Sequence, residues 1–346
     1  MLTLSHLTSN FLVQLNRATD RTFTLPILVF YPTARCNSRC VSCDWWKSDG
    51  AGDLTLAEIE RLAGELPALG TRAVTFSGGE PTLRRDVYEI AAVFRPRVAR
   101  LQLLTSGLFL ERDAAAVSRY FDEVTISLDA ATPEQYARIR GVNGLPVIER
   151  GVRALKERSP GTPVRARSTL HRHNFRDLPR LIDKAREMGL DGVSFLAADV
   201  TSDAFGRVPG PGAPPRGLLL EPAEVDEFAR VVDRTIETHR ADFESRFVAE
   251  PADKLRRLPR YYAAQLGLGD FPPVRCDAPW ASVVVEADGA VRPCYFHPAV
   301  GNVRERSLGD IMRDEMVAFR RRLSVADDPT CRRCVCTLQV GLRSRV

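Results

Sequence analysis

Short apolar runs alternate with longer amphipathic stretches through the first 200 residues, and no other feature of the sequence limits the possible folds so strongly. The runs are "LPILVFY", "AVTFSG", "RLQLLTS", "DEVTISL", "VRARSTL" and "GVSFLAA". Between them lie stretches such as "LTLAEIERLAGEL", "LRRDVYEIAAVFR", "LERDAAAVSRYF", "LPVIERGVRALKER" and "NFRDLPRLIDKAREMG", whose apolar residues recur at three and four spacing and read as helices. Parallel strands need a crossover of a dozen or more residues, which a helix supplies. Six such repeats therefore predict an α/β fold with a parallel sheet.

The pattern ends at "DAFGRVPGPGAPPRG", a Pro- and Gly-rich stretch read as a loop or lid. Four parts are expected: a helical extension over 1–23, the βα repeats over 24–200, a loop and helical connector over 201–269, and a small unit over 270–346. A helix is expected over 221–240 in the connector. The last unit opens with "ASVVVEADGAVRPCYF", a β-hairpin turning at Asp288-Gly289, and continues into a helix.

The net charge of +5 is interspersed with acids, not gathered in a tract, so nucleic acid is not an expected partner. No apolar run is long enough to span a membrane and the first residues lack the build of a secretory signal, so a cytoplasmic protein is expected. Thiols stay reduced there, and clustered cysteines then point to metal. The eight cysteines fall in two groups, Cys36, Cys40 and Cys43 near the start and Cys276, Cys294, Cys331, Cys334 and Cys336 near the end.

"YPTARCNSRCVSCDWW" follows the first strand directly. Three thiols are an odd number for disulfides and one short of a closed tetrahedral zinc site, so either a distant residue completes the set or one position is left open. The spacing Cys36-x3-Cys40-x2-Cys43 resembles the cluster loop of the radical S-adenosylmethionine (radical SAM) enzymes, with Ser42 where an aromatic residue often stands. "FSGGEP", ending the second strand, is similar to that family's Gly-Gly-Glu-Pro segment. "LLTSG" and "SLDA" resemble its segments after the third and fourth strands, and Arg140 in "YARIRG" resembles an arginine that meets the cofactor's carboxylate.

The resemblance implies a partial (β/α)6 TIM-type barrel and a [4Fe-4S] cluster held by Cys36, Cys40 and Cys43, with S-adenosylmethionine as the fourth ligand. It implies cofactor binding by Ser77, Gly78, Gly79, Glu80, Pro81, Thr105, Ser127, Asp129 and Arg140. Thr105, Ser127 and Asp129 could equally cap helices, and Arg140 could be a solvated helix end. Glu80 is expected to serve the cofactor without holding the barrel together.

The later cysteines resemble the auxiliary-cluster domain called SPASM and its shortened form, twitch. One auxiliary [4Fe-4S] cluster is implied, on Cys276, Cys294, Cys331 and Cys334, although Cys334 and Cys336 remain alternatives for the last position. A zinc ribbon is the competing reading. A spare Cys336 would be a candidate hydrogen-atom donor.

The family's activity is reductive cleavage of S-adenosylmethionine to a 5'-deoxyadenosyl radical, fed by an external one-electron donor such as flavodoxin or ferredoxin. The expected substrate is a small polar molecule of aminocyclitol, sugar or nucleoside type, undergoing dehydrogenation, epimerisation or decarboxylation in a biosynthetic pathway. The short stretch before the first strand favours this over the alternative, modification of a ribosomally made peptide. A non-catalytic zinc-binding module is the remote third reading. His171, His173 and His297 are candidate bases because histidine accepts protons near neutral pH, and Arg167 is expected to face the substrate because it alternates with Arg165 on the fifth strand.

Overall fold

The computed structural model describes residues 4–207 and 216–344. Most of the Pro- and Gly-rich stretch expected to form a lid lies outside the described residues. Helix α1 (Leu4–Thr19) precedes the sheet. All six expected strands are present: β1 (Ile27–Phe30), β2 (Ala73–Phe76), β3 (Arg100–Thr105), β4 (Glu123–Ser127), β5 (Val164–Leu170) and β6 (Gly192–Ala197). Each pairs in parallel with the next.

The crossovers carry α2 (Leu56–Glu65), α3 (Val87–Phe94), α4 (Leu110–Tyr120), α5 (Pro133–Arg140), α6 (Leu145–Arg158) and α7 (Leu178–Glu187). Helix α2 starts at a capping box in which Thr55 and Glu58 satisfy each other's backbone amides. Helix α5 was not apparent from periodicity. Thr132 caps its start, and Gly141 ends it at φ 69°.

The period-two alternation of the strands sorts the two faces of the sheet. Leu28, Phe30, Val74, Phe76, Leu101, Leu103, Val124 and Ile126 are buried in the main core beneath the helices. Phe30, Phe76 and Phe121 form a chain of edge contacts there, with ring centroids 5.6 and 5.4 Å apart. The alternate positions Thr125, Ser127, Arg167 and Thr169 line a cavity instead. Their polarity marks the concave side of the partial barrel as the working face.

Beyond residue 200 the chain forms α8 (Pro222–Thr238), matching the expected helix, and several shorter helices. The hairpin is present as β7 (Ser282–Val285) and β8 (Ala290–Arg292), turning at Gly289 with φ 88°. It does not stand apart from the barrel. Strand β7 pairs in parallel with β1, Phe30 opposite Val285, so one sheet runs in the order β6-β5-β4-β3-β2-β1-β7-β8-β9, where β9 is Gly301–Asn302.

Candidate active site and cluster sites

The loop carrying Cys36, Cys40 and Cys43 has almost no regular structure, so its shape is imposed from outside. Gly79 and Glu80 donate their amides to the carbonyls of Thr33 and Arg35 (3.1 and 2.7 Å). A Cβ on Gly79 would lie 2.1 Å from the Arg35 carbonyl oxygen, so only glycine allows this approach. On the other side, the amides of Arg39 and Val41 donate to the last carbonyls of α5, at Arg140 and Ile139 (2.9 and 3.0 Å). These bonds satisfy carbonyls that a helix end leaves unpaired.

The three thiols open onto a cavity of about 230 Å³ at the C-terminal ends of the strands. Burial pushes Cys36 up to about 11 and Cys43 up to about 12, with neighbouring thiols adding to the effect, and burial together with Asp129 raises Cys40. Such thiols ionise when a metal takes the proton's place.

Glu80 is almost fully buried. Its Oε1 accepts from the Thr82 amide (3.1 Å), the Thr82 hydroxyl (2.5 Å) and the Thr105 hydroxyl (2.7 Å), and its Oε2 accepts from the Ser106 amide (2.6 Å). It therefore straps the end of β2 to the end of β3. This corrects the expectation that Glu80 has no part in holding the barrel together: four donors converge on one carboxylate, from the turn after β2 and from the end of β3 with its loop.

Asp129 accepts from the Thr169 amide (2.7 Å) and pairs with Arg140 (3.0 Å). Burial pulls the Arg140 guanidinium down, but Cys40, Tyr136 and Asp129 outweigh it and hold the pKa above the ordinary value. Arg140 is thus a paired, largely covered residue beside the triad, not a solvated helix end. Thr105 and Ser127 line the cavity together with Ser77, Gly78 and Gly79, whereas Pro81 is buried at the start of a short turn behind them.

The residues fit an absent ligand. Arg140 Nε and Ser106 Oγ are buried without a hydrogen-bond partner, and both residues line the cavity. Three thiols with an open side, an unused guanidinium nitrogen and the concave backbone at Gly78 and Gly79 can hold an iron-sulfur cluster and a zwitterionic, ribose-bearing cofactor.

The opposite wall comes from the C-terminal unit. Tyr295, Phe296, Val335 and Cys336 line the cavity, while Cys334 faces a neighbouring pocket. Cys334 Sγ lies 2.9 Å from the Cys336 carbonyl oxygen and 3.3 Å from its amide. Burial raises Cys276, Cys294 and Cys334, with the nearby Cys336 thiol adding to each, and Cys294 and Cys276 in turn lie near enough to act on Cys331. All five late thiols therefore converge, and both Cys334 and Cys336 stand within that group.

None of the three candidate histidines lines the cavity. His171 is buried just past β5, where its Nδ1 accepts from the His173 amide (3.2 Å), and burial followed by the nearness of His173 pulls it down to about 3. A ring kept neutral and tied to a turn has no reach to a ligand in the cavity. His297 is buried beside Cys331, Nε2 to Sγ 3.3 Å, with Asp328 and the Phe319 ring around it. His297, Asp328 and Cys331 offer ligand atoms within 4.8 Å of one another.

Residues that periodicity could not find complete the enclosure. Arg207 pairs with Asp199 (2.7 Å) and donates to the Ser42 carbonyl (2.8 Å), latching the segment after β6 onto the cysteine loop. Phe205, at φ 64°, accepts from the Asp44 amide through its carbonyl (2.9 Å) and meets Phe296 across the cavity (ring centroids 5.9 Å). No motif marks them, because a loop contact is set by geometry and not by a period.

Against known proteins, the radical SAM superfamily model matches residues 30–200, and the iron-sulfur cluster-binding SPASM domain model matches residues 276–335. The chain belongs to the radical SAM superfamily. It carries a C-terminal SPASM domain, and the two domains imply a SAM-binding [4Fe-4S] cluster, S-adenosylmethionine and auxiliary iron-sulfur chemistry. A Methanosarcina barkeri Fe-coproporphyrin III synthase is 29% identical over 334 residues, covering 89% of this chain and 80% of that one. A Methylobacterium PqqA peptide cyclase is 29% identical over 316 residues, covering 87% and 76%. The Streptococcus suis SuiB structure bound to S-adenosylmethionine superposes with a TM-score of 0.65 at 14% identity, over 95% of this chain and 76% of that one, and shares the fold. No described helix is long and apolar enough to cross a membrane.

Proposed function

We propose that this radical SAM protein is a maturase that alters a side chain of a ribosomally made peptide, in preference to the small polar substrate expected from the sequence. The observation that carries this reading is the match to a PqqA peptide cyclase across both domains. The comparably long match to an Fe-coproporphyrin III synthase favours a second reading, a tetrapyrrole substrate presenting one arm to the cavity.

In this proposal Cys36, Cys40 and Cys43 hold the first cluster, and Glu80, Thr105, Ser127, Asp129 and Arg140 with the Ser77–Gly79 backbone hold S-adenosylmethionine. When bound, these groups supply an adenosyl radical that takes a hydrogen atom from carbon, after one electron from a donor such as a flavodoxin or ferredoxin. Cys276, Cys294 and Cys331 hold the auxiliary cluster, with Cys334 or Cys336 as the last ligand. Trp45, Phe205 and Phe296 keep water from the reacting carbon. The test is anaerobic incubation of the iron-loaded protein with S-adenosylmethionine, reductant and short peptides encoded beside its gene. Mass spectrometry should find a peptide that has lost hydrogen in proportion to 5'-deoxyadenosine formed. Conversion of an iron coproporphyrin with every peptide left unchanged would overturn the reading.

A further inference from the structure

Three arginines line the cavity, and two of them are already paired: Arg140 with Asp129 at 3.0 Å and Arg207 with Asp199 at 2.7 Å. The third, Arg167, has no carboxylate oxygen within ion-pair distance among the described residues. Among the described residues its side chain makes one hydrogen bond, from Nε to the Ser194 hydroxyl (3.1 Å). Arg165, two residues earlier on the same strand, is paired with Glu123 (3.1 Å), so lack of a partner is not general to β5.

The register explains why Arg167 reaches into open space. Its ladder neighbours are Ser127 on β4 and Ser194 on β6, so small hydroxyl side chains flank a long one. The side chain is exposed while lining the cavity.

Each end of the cavity carries its own arginine. Arg140 pairs with Asp129 at the end of α5, whose last carbonyls hold the cysteine loop, which places it at the triad. Arg167 is paired in the ladder with Ser127 on β4, yet its Nε leans the other way, onto Ser194 of β6, and the chain leaving β6 meets the auxiliary wall where Phe205 packs on Phe296 (ring centroids 5.9 Å). The guanidinium therefore reaches toward the auxiliary wall.

We propose that Arg167 is a substrate-anchoring residue that receives a carboxylate of the substrate at the auxiliary end of the cavity. A planar guanidinium with free nitrogens recognises a carboxylate through two parallel charge-assisted hydrogen bonds. Ser194 holds Nε, which leaves the terminal nitrogens to face the ligand. The inference rests on the peptide reading to this extent: the carboxylate belongs to an Asp or Glu side chain, and the same chemistry on a tetrapyrrole would be a propionate.

The experiment titrates the iron-loaded protein, saturated with S-adenosylmethionine, with three probes followed by ligand-observed NMR. These are N-acetylglutamate methylamide, its glutamine counterpart, and coproporphyrin III. The acidic probe should bind and its amide counterpart should bind about ten- to a hundredfold more weakly, the range of one charge-assisted hydrogen bond. Arg167→Gln should remove the preference, Arg167→Lys should restore part of it, and Arg165→Gln should leave it intact. Affinity for S-adenosylmethionine should stay within about twofold throughout, well short of one such bond. Equal binding of the glutamate and glutamine probes would overturn the proposal. So would an Arg167→Gln protein whose main defect is weaker S-adenosylmethionine binding, because Arg167 would then serve the cofactor. Arg167-dependent binding of coproporphyrin without binding of the glutamate probe would uphold the anchor and reject the peptide reading.

Discussion

Substituting Glu80 by Gln separates what the cavity does for a ligand from what it does for the fold. The carboxylate receives three hydrogen bonds on Oε1 and one on Oε2. Glutamine has one acceptor oxygen, and the better orientation keeps the three. Its NH2 then faces the Ser106 amide, donor against donor. One hydrogen bond to a charged group is lost and a buried N–H is left unpaired, which together cost about 2–4 kcal/mol. With an unfolding entropy of roughly 2 cal/mol/K per residue, a chain of this length should melt about 3 to 6 °C lower. Differential scanning calorimetry of the iron-loaded protein measures that, and equilibrium dialysis with S-adenosylmethionine measures the consequence of the proposed cofactor role of Glu80, a loss of affinity of about tenfold or more. A melting temperature within about 1 °C of wild type would refute the strap, since the calculation allows no such small change.

Replacing Cys36, Cys40 and Cys43 together by Ala should remove about half of the iron and all 5'-deoxyadenosine formation, if each cysteine group holds one cluster; iron assay and chromatography check both. Arg207→Gln breaks a buried ion pair at a cost of about 3–5 kcal/mol and releases the Ser42 carbonyl, so the cluster's visible absorbance should bleach faster in air. His171 sits near 3 when folded against 6.5 as a free side chain, so the unfolded chain binds the extra proton as pH falls between those values. Its contribution to stability is present above about 6.5 and is lost progressively on acidification. Urea titrations of His171→Gln between about pH 5.5 and 7.5 should show a dependence on pH shallower by up to about 1.4 kcal/mol per unit at the acid end.

The strands and the triad were legible because both are local patterns. A buried parallel strand advertises itself by composition, and thiols separated by three and by two residues need no tertiary information to be counted. Arg140 shows where such reading thins out. Its motif was visible, but a charged residue at a helix end is usually solvated, and only the packing of α5 against the cysteine loop and the pair with Asp129 draw it inward. Asp199, Phe205 and Arg207 were not legible at all, since their partners Ser42 and Phe296 are distant in the chain. The histidines failed in the opposite direction. Residue type suggested bases, and burial instead assigns His171 to a turn and His297 to the surroundings of Cys331.

The pairing of β7 with β1 has the widest consequence, because it joins the supports of the two cysteine groups. The triad follows β1 directly, and Cys294 follows a hairpin whose first strand lies beside β1 with Phe30 opposite Val285. Strand β8 is only three residues long, so the chain returns no further than the cavity edge, where Tyr295 and Phe296 form the wall next to Cys294. Val335, between Cys334 and Cys336, forms the adjoining part. A group in the cavity thus touches the segments that carry the late thiols, and these segments hang from the same sheet as the first cluster's loop. A shear between the two parts would have to break the β1–β7 ladder and the Tyr31 amide's bond to the Val285 carbonyl (3.0 Å). The separation of the two cysteine groups is therefore fixed by backbone hydrogen bonds, not by a hinge between domains.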